Sequence, residues 1–208
     1  MIIKSSEGKL IDSIEAWLQY SPPAKKTQWQ DGRSAKEFAK AWFRTGKAHL
    51  PDELLTLLES HQVTRRLEVE EAIPEKKTVL DNFRGNGRNH DMILIGKTQQ
   101  DRIVISIEAK TDEPFGELIG KYLVRVKSNS RSSRINQLSL AVFGHTEVSN
   151  LRYQLLHAMA GTLIEAKKYG ATQAILIVHE LVTGKKGNRA KRNDKDLSDF
   201  INALSNLS

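Results

Sequence analysis

The segment Asp91–Lys110, which reads DMILIGKTQQDRIVISIEAK, decides the fold. It contains two apolar runs, Met92 to Ile95 and Ile103 to Ile107, on either side of a short polar stretch. Apolar runs of strand length around a polar loop of about five residues are typical of a β-hairpin. A turn centred between Gln99 and Gln100 fixes the register of this hairpin and places residue 91 directly opposite residue 108.

The open end of the predicted hairpin, away from the turn, carries two carboxylates and a lysine. In this register Asp91 and Glu108 face each other with Cβ atoms roughly 5 Å apart. Lys110 lies on the same face as Glu108, because side chains alternate along a strand. Two close carboxylates repel unless a proton or a cation lies between them, and Mg²⁺ prefers oxygen ligands. The sequence therefore predicts a site for a hard divalent cation, beside a lysine that orients a water molecule or neutralises a pentacovalent intermediate.

The rest of the chain predicts a mixed α/β domain with a small central sheet. In chain order the predicted elements are helices at 10–21, 34–46 and from 51, a strand at 67–73, a loop at 81–89, the hairpin, a helix that ends at 144, a helix at 149–169, a strand at 174–178 and a C-terminal helix through 197–204. We expect a single domain, in which residues 1–50 form a helical region packed on a core of residues 51–181. Residues 182–208 add a basic linker and a helix.

Two local patterns make sharper structural predictions. Ser34 followed by Glu37 is a capping box, in which the side chain of each residue accepts a hydrogen bond from the backbone N–H of the other. The run from Ala174 to Val178 is apolar throughout. Such a run favours a central strand that is covered on both faces.

The charge balance favours a polyanionic partner. The chain has 32 Lys and Arg residues against 25 Asp and Glu residues, a formal net charge of +7, and each Lys or Arg placed against a phosphate releases a counterion. Many of the basic residues fall in two clusters. The first basic cluster is Lys121, Arg125, Lys127, Arg131 and Arg134, and the second is Lys185, Lys186, Arg189, Lys191, Arg192 and Lys195. We predict that Arg125, Lys127, Arg131 and Arg134 contact nucleic acid.

Composition also excludes several classes of protein. The chain has no cysteine, which excludes disulfides, thiolate zinc sites, iron–sulfur clusters and a cysteine nucleophile. Its longest apolar run is far shorter than the roughly 20 residues of a membrane-spanning helix. We therefore expect a cytoplasmic protein that does not enter a membrane.

Asp91 is followed by sixteen residues and then by Glu108-Ala109-Lys110 on the predicted hairpin. This spacing resembles the signature of the PD-(D/E)xK nuclease superfamily. The segments 108–116 and 151–157 are also similar to a group of uncharacterised bacterial proteins linked to that superfamily. The resemblance covers residues 51–181. It implies the α-β-β-β-α-β core of restriction-endonuclease-like proteins, with a small mixed sheet flanked by helices.

The same resemblance implies a nuclease, either an endonuclease or an exonuclease, that carries out metal-dependent hydrolysis of phosphodiester bonds in DNA, with Mg²⁺ as cofactor and Mn²⁺ as its substitute. Asp91 and Glu108 would be metal ligands together with the backbone carbonyl of Ala109, and Lys110 would be the catalytic lysine. Gln154 matches a glutamine that some members carry on the following helix, and we predict that it contacts nucleic acid; the alternative is an exposed helix residue without a role in the site. One departure is His90, which stands where the signature has Pro.

The sequence leaves several questions open. Many members use a further upstream acid, and four glutamates compete for that place: Glu59, Glu70, Glu71 and Glu75. RNA as a substrate is left open, and so is a homodimer, which would suit cutting both strands of a duplex. The alternative function is a non-catalytic nucleic-acid-binding module, or an inactive nuclease relative acting as an accessory subunit, that uses the basic clusters without a metal.

Overall fold

A five-stranded mixed sheet forms the centre of the fold. The computed structural model describes residues 1–80, 87–111, 113–126, 129–182 and 188–205. The strands are β1 (Ile2–Ile3), β2 (Glu68–Thr78), β3 (Arg88–Lys97), β4 (Arg102–Lys110) and β5 (Gln173–Glu180), and they lie in this order across the sheet. The pairs β1–β2 and β4–β5 are parallel, whereas β2–β3 and β3–β4 are antiparallel. The predicted α/β class is confirmed.

The central hairpin of β3 and β4 has the predicted register. Met92 pairs with Ile107, and Lys97 pairs with Arg102 next to the turn. Thr98 in the turn stabilises it by accepting a hydrogen bond from the backbone N–H of Asp101 at 3.1 Å. The turn centred between Gln99 and Gln100 was enough to fix this register, because the turn of a hairpin sets which residues of its two strands pair.

Strand β3 begins earlier than the sequence predicted. Residues 81–86 of the predicted loop lie outside the described residues, but Arg88 and Asn89 belong to β3 and pair with Thr78 and Lys77 of β2. The loop prediction was wrong at these two positions because it rested on the two Gly and three Asn residues of the whole segment. Arg88 is nevertheless buried, since its charge is compensated inside the fold.

Seven α-helices are described, and they are α1 (Ile14–Tyr20), α2 (Ser34–Trp42), α3 (Asp52–Ser60), α4 (Ile119–Val126), α5 (Asn129–Phe143), α6 (Tyr153–Lys168) and α7 (Asn188–Ser205). The order α3-β2-β3-β4-α6-β5 agrees with the predicted α-β-β-β-α-β succession, with α4 and α5 inserted before α6. The predicted capping box of Ser34 and Glu37 is not formed, because Ser34 already belongs to the helix and the N-cap makes no side-chain hydrogen bond. The N-cap of α2 is Arg33, and Glu37 accepts its hydrogen bond from the N–H of Gly32 at 2.8 Å.

The two faces of the sheet pack against different helices. On one face, Trp17 of α1, Phe38 of α2 and Leu54 of α3 share a buried cluster with Ile105 and Ile107 of β4. The N-terminal helices thus belong to the same core as the hairpin. On the other face, α6 packs against β3 and β4, and a further apolar cluster joins α4, α5, α6 and α7.

Strand β5 lies at an edge of the sheet and not at its centre, which corrects the prediction from its apolar run. It pairs only with β4 among the described strands. Its side chains still meet apolar neighbours on both faces, because Ile177 joins the cluster of the N-terminal helices and Val178 packs against that of α4–α7. A strand buried on both faces reads as continuously apolar wherever it stands in the sheet.

Helix α6 approaches the sheet closely at Gly161. A Cβ atom at this position would lie 2.6 Å from Nε2 of His90, which points from β3 toward the helix. His90 is fully buried, and its Nδ1 lies 2.7 Å from Oγ of Ser106 on β4. The absence of a side chain at Gly161 therefore lets α6 lie directly over the part of β3 that leads to Asp91.

No described helix combines the length and apolarity that a membrane-spanning segment requires.

Candidate active site

Asp91 and Glu108 lie next to each other at the open end of the β3–β4 hairpin. The ladder pairs Met92 with Ile107, so these two acids follow directly after its last paired residues. Oδ2 of Asp91 accepts a hydrogen bond from the N–H of Ala109 at 2.8 Å, which ties its side chain to the strand that carries Glu108. The two predicted carboxylates therefore meet at one end of the hairpin, as the register requires.

Glu108 is held by three donors from three elements. It is only 2% exposed. Its Oε1 accepts hydrogen bonds from Nζ of Lys110 at 2.7 Å and from the side-chain amide of Gln154, and its Oε2 accepts one from Arg88. Lys110 and Gln154, both predicted site residues, thus contact Glu108 directly. Arg88 was missed because its segment was assigned to a loop.

Lys110 is buried in this network and only 5% exposed. Apart from its bond to Glu108, its ammonium lies 5.6 Å from the centre of the Phe115 ring. Burial lowers the pKa of Lys110, and the negative charges of Asp91 and Glu113 offset this only in part. Lys110 consequently gives up a proton more readily than a surface lysine does.

Glu75 of β2 is the upstream glutamate that lies beside Asp91. The β2–β3 ladder pairs Pro74 with Met92 and Lys76 with His90, which places Glu75 and Asp91 between these two pairs. The side-chain amide of Asn89 donates a hydrogen bond to Glu75. Glu75, Asp91 and Glu108 therefore follow one another across three neighbouring strands, and we call them the acidic row.

The other three upstream glutamates form a hydrogen bond or an ion pair with residues other than Asp91. Glu59 accepts from the backbone N–H of Arg66, Glu71 pairs with Lys4 at 2.6 Å, and Glu70 pairs with Lys97 at 3.0 Å near the turn of the hairpin. Only Glu75 among the four is adjacent to Asp91. The sequence left this choice open because it depends on the pairing of β2 with β3, which joins residues that are distant along the chain.

The acidic row carries negative charge that its neighbours only partly neutralise. Burial and the charge of Asp91 raise the pKa of Glu75 to about 7. Burial also raises the pKa of Asp91, although Arg88 and Lys110 counteract it. Glu75 in addition has a left-handed backbone, with φ +52°, which is unfavourable for a residue with a Cβ and is found preferentially at functional sites.

The carboxylate oxygens of the acidic row are suitable ligands for a hard divalent cation. Oδ1 of Asp91 makes no hydrogen bond to any described residue. Burial and the charge of Asp91 raise the pKa of Glu75, and a cation would offset both effects. Within the described ranges, however, no three His, Asp or Glu side chains already converge to hold a metal ion. Arg88, Lys110 and Gln154 occupy the oxygens of Glu108. A cation that binds Glu108 would thus have to compete with Arg88.

His90, which replaces the Pro of the signature, has a structural role. Burial, together with the charges of Arg88 and Lys76, lowers the pKa of His90 to about 3. This low pKa favours the neutral form of the ring. It fills the space under Gly161 and bonds to Ser106.

One family model matches residues 10–208 of the chain, and its description is "Domain of unknown function (DUF6946)". The chain belongs to this family. The searches of curated proteins and of solved structures found no match. The DUF6946 match contains the whole acidic row, Lys110 and Gln154, whereas β1 lies before it. The family is thus defined over the complete candidate site.

The first basic cluster of this DUF6946 member lies on α4 and α5. Arg125 is exposed, pairs with Glu117 at 3.0 Å and lies over the ring of Tyr122. Arg131 is exposed as well, while Arg134 is half-buried and hydrogen-bonds to Tyr153, the neighbour of Gln154 on α6. Lys127 lies outside the described residues. Of the predicted contacts, Arg125 and Arg131 are thus available at the surface.

The second basic cluster is described only in part. Arg192 is exposed on α7, and Lys195 is paired with Asp199 at 2.7 Å. Lys185 and Lys186, and the side chains of Arg189 and Lys191, lie outside the described part of the chain. This cluster therefore adds little to the description of the site.

Proposed function

We propose that this member of the DUF6946 family is a metal-dependent nuclease that hydrolyses phosphodiester bonds of DNA. The observation that supports it best is the meeting of Asp91, Glu108 and Lys110 at one end of the hairpin. These are the residues whose spacing resembles the PD-(D/E)xK signature. Glu75 and Gln154 extend the group from the neighbouring strand and helix.

The acidic row would hold the cofactor, Mg²⁺ or Mn²⁺. Asp91, Glu108 and the carbonyl of Ala109 are the proposed ligands, and Glu75 stands close enough to Asp91 to assist. A bound divalent ion lowers the pKa of a water molecule and stabilises negative charge on phosphorus. The protein supplies the oxygen donors and keeps them partly shielded from solvent, where their charges act more strongly than in water.

Lys110 is proposed to orient the attacking water and to stabilise the charge that develops on the phosphate. It is held between Glu108 and Phe115, so its ammonium has a defined position. Gln154 fixes Glu108 from the α6 side. The net charge of +7, with Arg125 and Arg131 exposed, would attract the DNA backbone.

The test is cleavage of supercoiled plasmid and of single-stranded DNA with Mg²⁺, with Mn²⁺ and with EDTA. We expect Lys110→Met to lower the cleavage rate by about 10²–10³-fold, the usual cost of removing one group that stabilises charge in the transition state. Methionine fills similar space, and Arg88 and Gln154 still bind Glu108. Lys47→Ala, at an exposed loop position, is the matched control and should cleave normally. A Lys110→Met protein as active as the wild type would refute the assigned role.

One observation favours a second candidate function. Arg88 and Lys110 already neutralise Glu108, as they would in a purely structural network of a nucleic-acid-binding module or an inactive relative acting as an accessory subunit. Such a protein would bind DNA with strong salt dependence and without metal. Metal-independent binding with no cleavage of any substrate would favour this second function.

The pH dependence of cleavage should follow Glu75. Its pKa of about 7 means that the side chain is mostly protonated below that pH, so we expect cleavage to rise as the pH increases through about 7. Glu75→Gln should lose this pH dependence, and its cleavage rate should fall at least about tenfold. A pH–rate profile of both proteins, from single-turnover cleavage, is the measurement.

The same substitution should not destabilise the protein. Because the pKa of Glu75 in the folded state lies above its ordinary value of 4.5, folding loses stability as the pH rises between these two values. At pH 8, Glu75→Gln should therefore unfold at the same temperature as the wild type or a higher one. A lower melting temperature at that pH would show that the charge of Glu75 supports the fold.

A further inference from the structure

A cleft of 340 Å³ opens beside the acidic row, along the part of β2 that extends beyond β1. Glu75 and Asn89 line one part of it. The remaining lining comes from the next two residues of β2, from the turn that follows β1, and from the end of α1 with the segment after it. Since Glu75 belongs both to the cleft and to the acidic row, a ligand in the cleft would lie next to whatever Asp91 and Glu108 hold.

The chemistry of the cleft suits the uncharged part of a nucleotide. Tyr20 contributes an aromatic side chain, is 40% exposed and is followed by the exposed Pro22. The lining also contains two lysines, Lys76 and Lys77, and two glutamates, Glu7 and Glu75, so its formal charges cancel when Glu75 is ionised. A cleft with an exposed ring and no net charge favours a nucleobase over a phosphate, because bases stack on aromatic side chains.

Lys77 indicates where the sugar–phosphate backbone of a bound DNA strand would lie. Lys77 is exposed and close enough to Glu75 to lower its pKa. A phosphate next to the base would thus meet Lys77, while the following phosphate would reach the acidic row. A base paired within a duplex cannot enter such a cleft without leaving its stack, which costs a few kcal/mol.

We propose that this cleft binds one unpaired nucleobase, and that the protein consequently prefers single-stranded DNA to duplex DNA. The inference rests on the proposed function, because that function places the cleft beside the phosphodiester bond that is cut. It goes further in naming the form of the substrate and a binding residue, Tyr20, on which the cleavage mechanism does not depend.

The experiment measures binding and not cleavage. Fluorescence anisotropy in EDTA compares a labelled single-stranded oligonucleotide with a hairpin duplex of the same length, for the wild type, Tyr20→Ala and Tyr20→Phe. We expect tighter binding of the single strand. Tyr20→Ala should weaken that binding by about 5- to 100-fold, the usual effect of losing one stacked base, while Tyr20→Phe, which keeps the ring, should bind normally. Lys47→Ala serves again as the surface control, and circular dichroism checks that each variant is folded.

The possible results separate this inference from the proposed function. Tighter duplex binding, no binding of either DNA, or equal affinity of wild type and Tyr20→Ala for the single strand would overturn the inference, even if plasmid cleavage were observed. Single-strand binding that depends on Tyr20 would support it, even if no metal produced cleavage. In that last case the cleft would stand as a binding site and the nuclease assignment would fall.

Discussion

Asp91→Asn is expected to abolish metal-dependent DNA cleavage and to leave the protein folded. Asparagine has nearly the same shape, and its carbonyl oxygen can still accept the hydrogen bond from the N–H of Ala109. The substitution removes only the charge that would hold the cation. We expect the rate to fall at least about 10³-fold, equivalent to about 4 kcal/mol of transition-state stabilisation.

The fold should tolerate this change because Asp91 is a poorly compensated charge. Burial raises its pKa, and its own charge contributes to the raised pKa of Glu75. Without it the pKa of Glu75 should move back toward 4.5. Single-turnover cleavage, thermal unfolding and an NMR titration of the glutamate carboxyls together measure these effects.

Asp101→Asn is the matched control, since Asp101 lies in the turn at the other end of the same hairpin and accepts a bond from Thr172. It should keep its cleavage activity. If Asp91→Asn cleaved as fast as this control, the acidic row would not be the catalytic site. If it failed to fold, Asp91 would have a structural role that its single hydrogen bond does not suggest.

The hairpin could be predicted from the sequence because its determinants are local. Two continuous apolar runs indicate strands that are covered on both faces, and a short turn fixes the register. Those two features were enough to place Asp91 beside Glu108 and Lys110 on the face of Glu108. The resemblance to a nuclease signature supplied the chemistry, and it pointed to Gln154, which contacts Glu108 from a helix 46 residues further along the chain.

The residues that sequence reasoning missed depend on contacts between distant segments. Arg88 has the polarity of a loop residue and is buried only because Glu108 of β4 neutralises it. Glu75 could not be chosen among four glutamates before the pairing of β2 with β3 was known. Similarly, the apolar run of β5 indicated burial on both faces but carried no information on its position in the sheet.

Arg88 is the residue of the network whose loss should cost the most stability. It is 8% exposed and binds Glu108, and removing one partner of a buried ion pair costs about 3–5 kcal/mol. Lys110 and Gln154 still bind the other oxygen of Glu108, so we expect Arg88→Met to lie at the lower end of this range. Chemical denaturation in EDTA measures the loss.

The same variant tests whether Arg88 and a divalent cation compete for Glu108. Removing the guanidinium frees Oε2 of Glu108, so Mg²⁺ or Mn²⁺ should raise the melting temperature of Arg88→Met more than that of the wild type. Arg152→Met is the matched control. It breaks another buried pair, with Asp196 at 2.8 Å, and should lose stability without any greater response to metal. An equal response of both variants would mean that Glu108 is a structural anchor and that any cation binds without it.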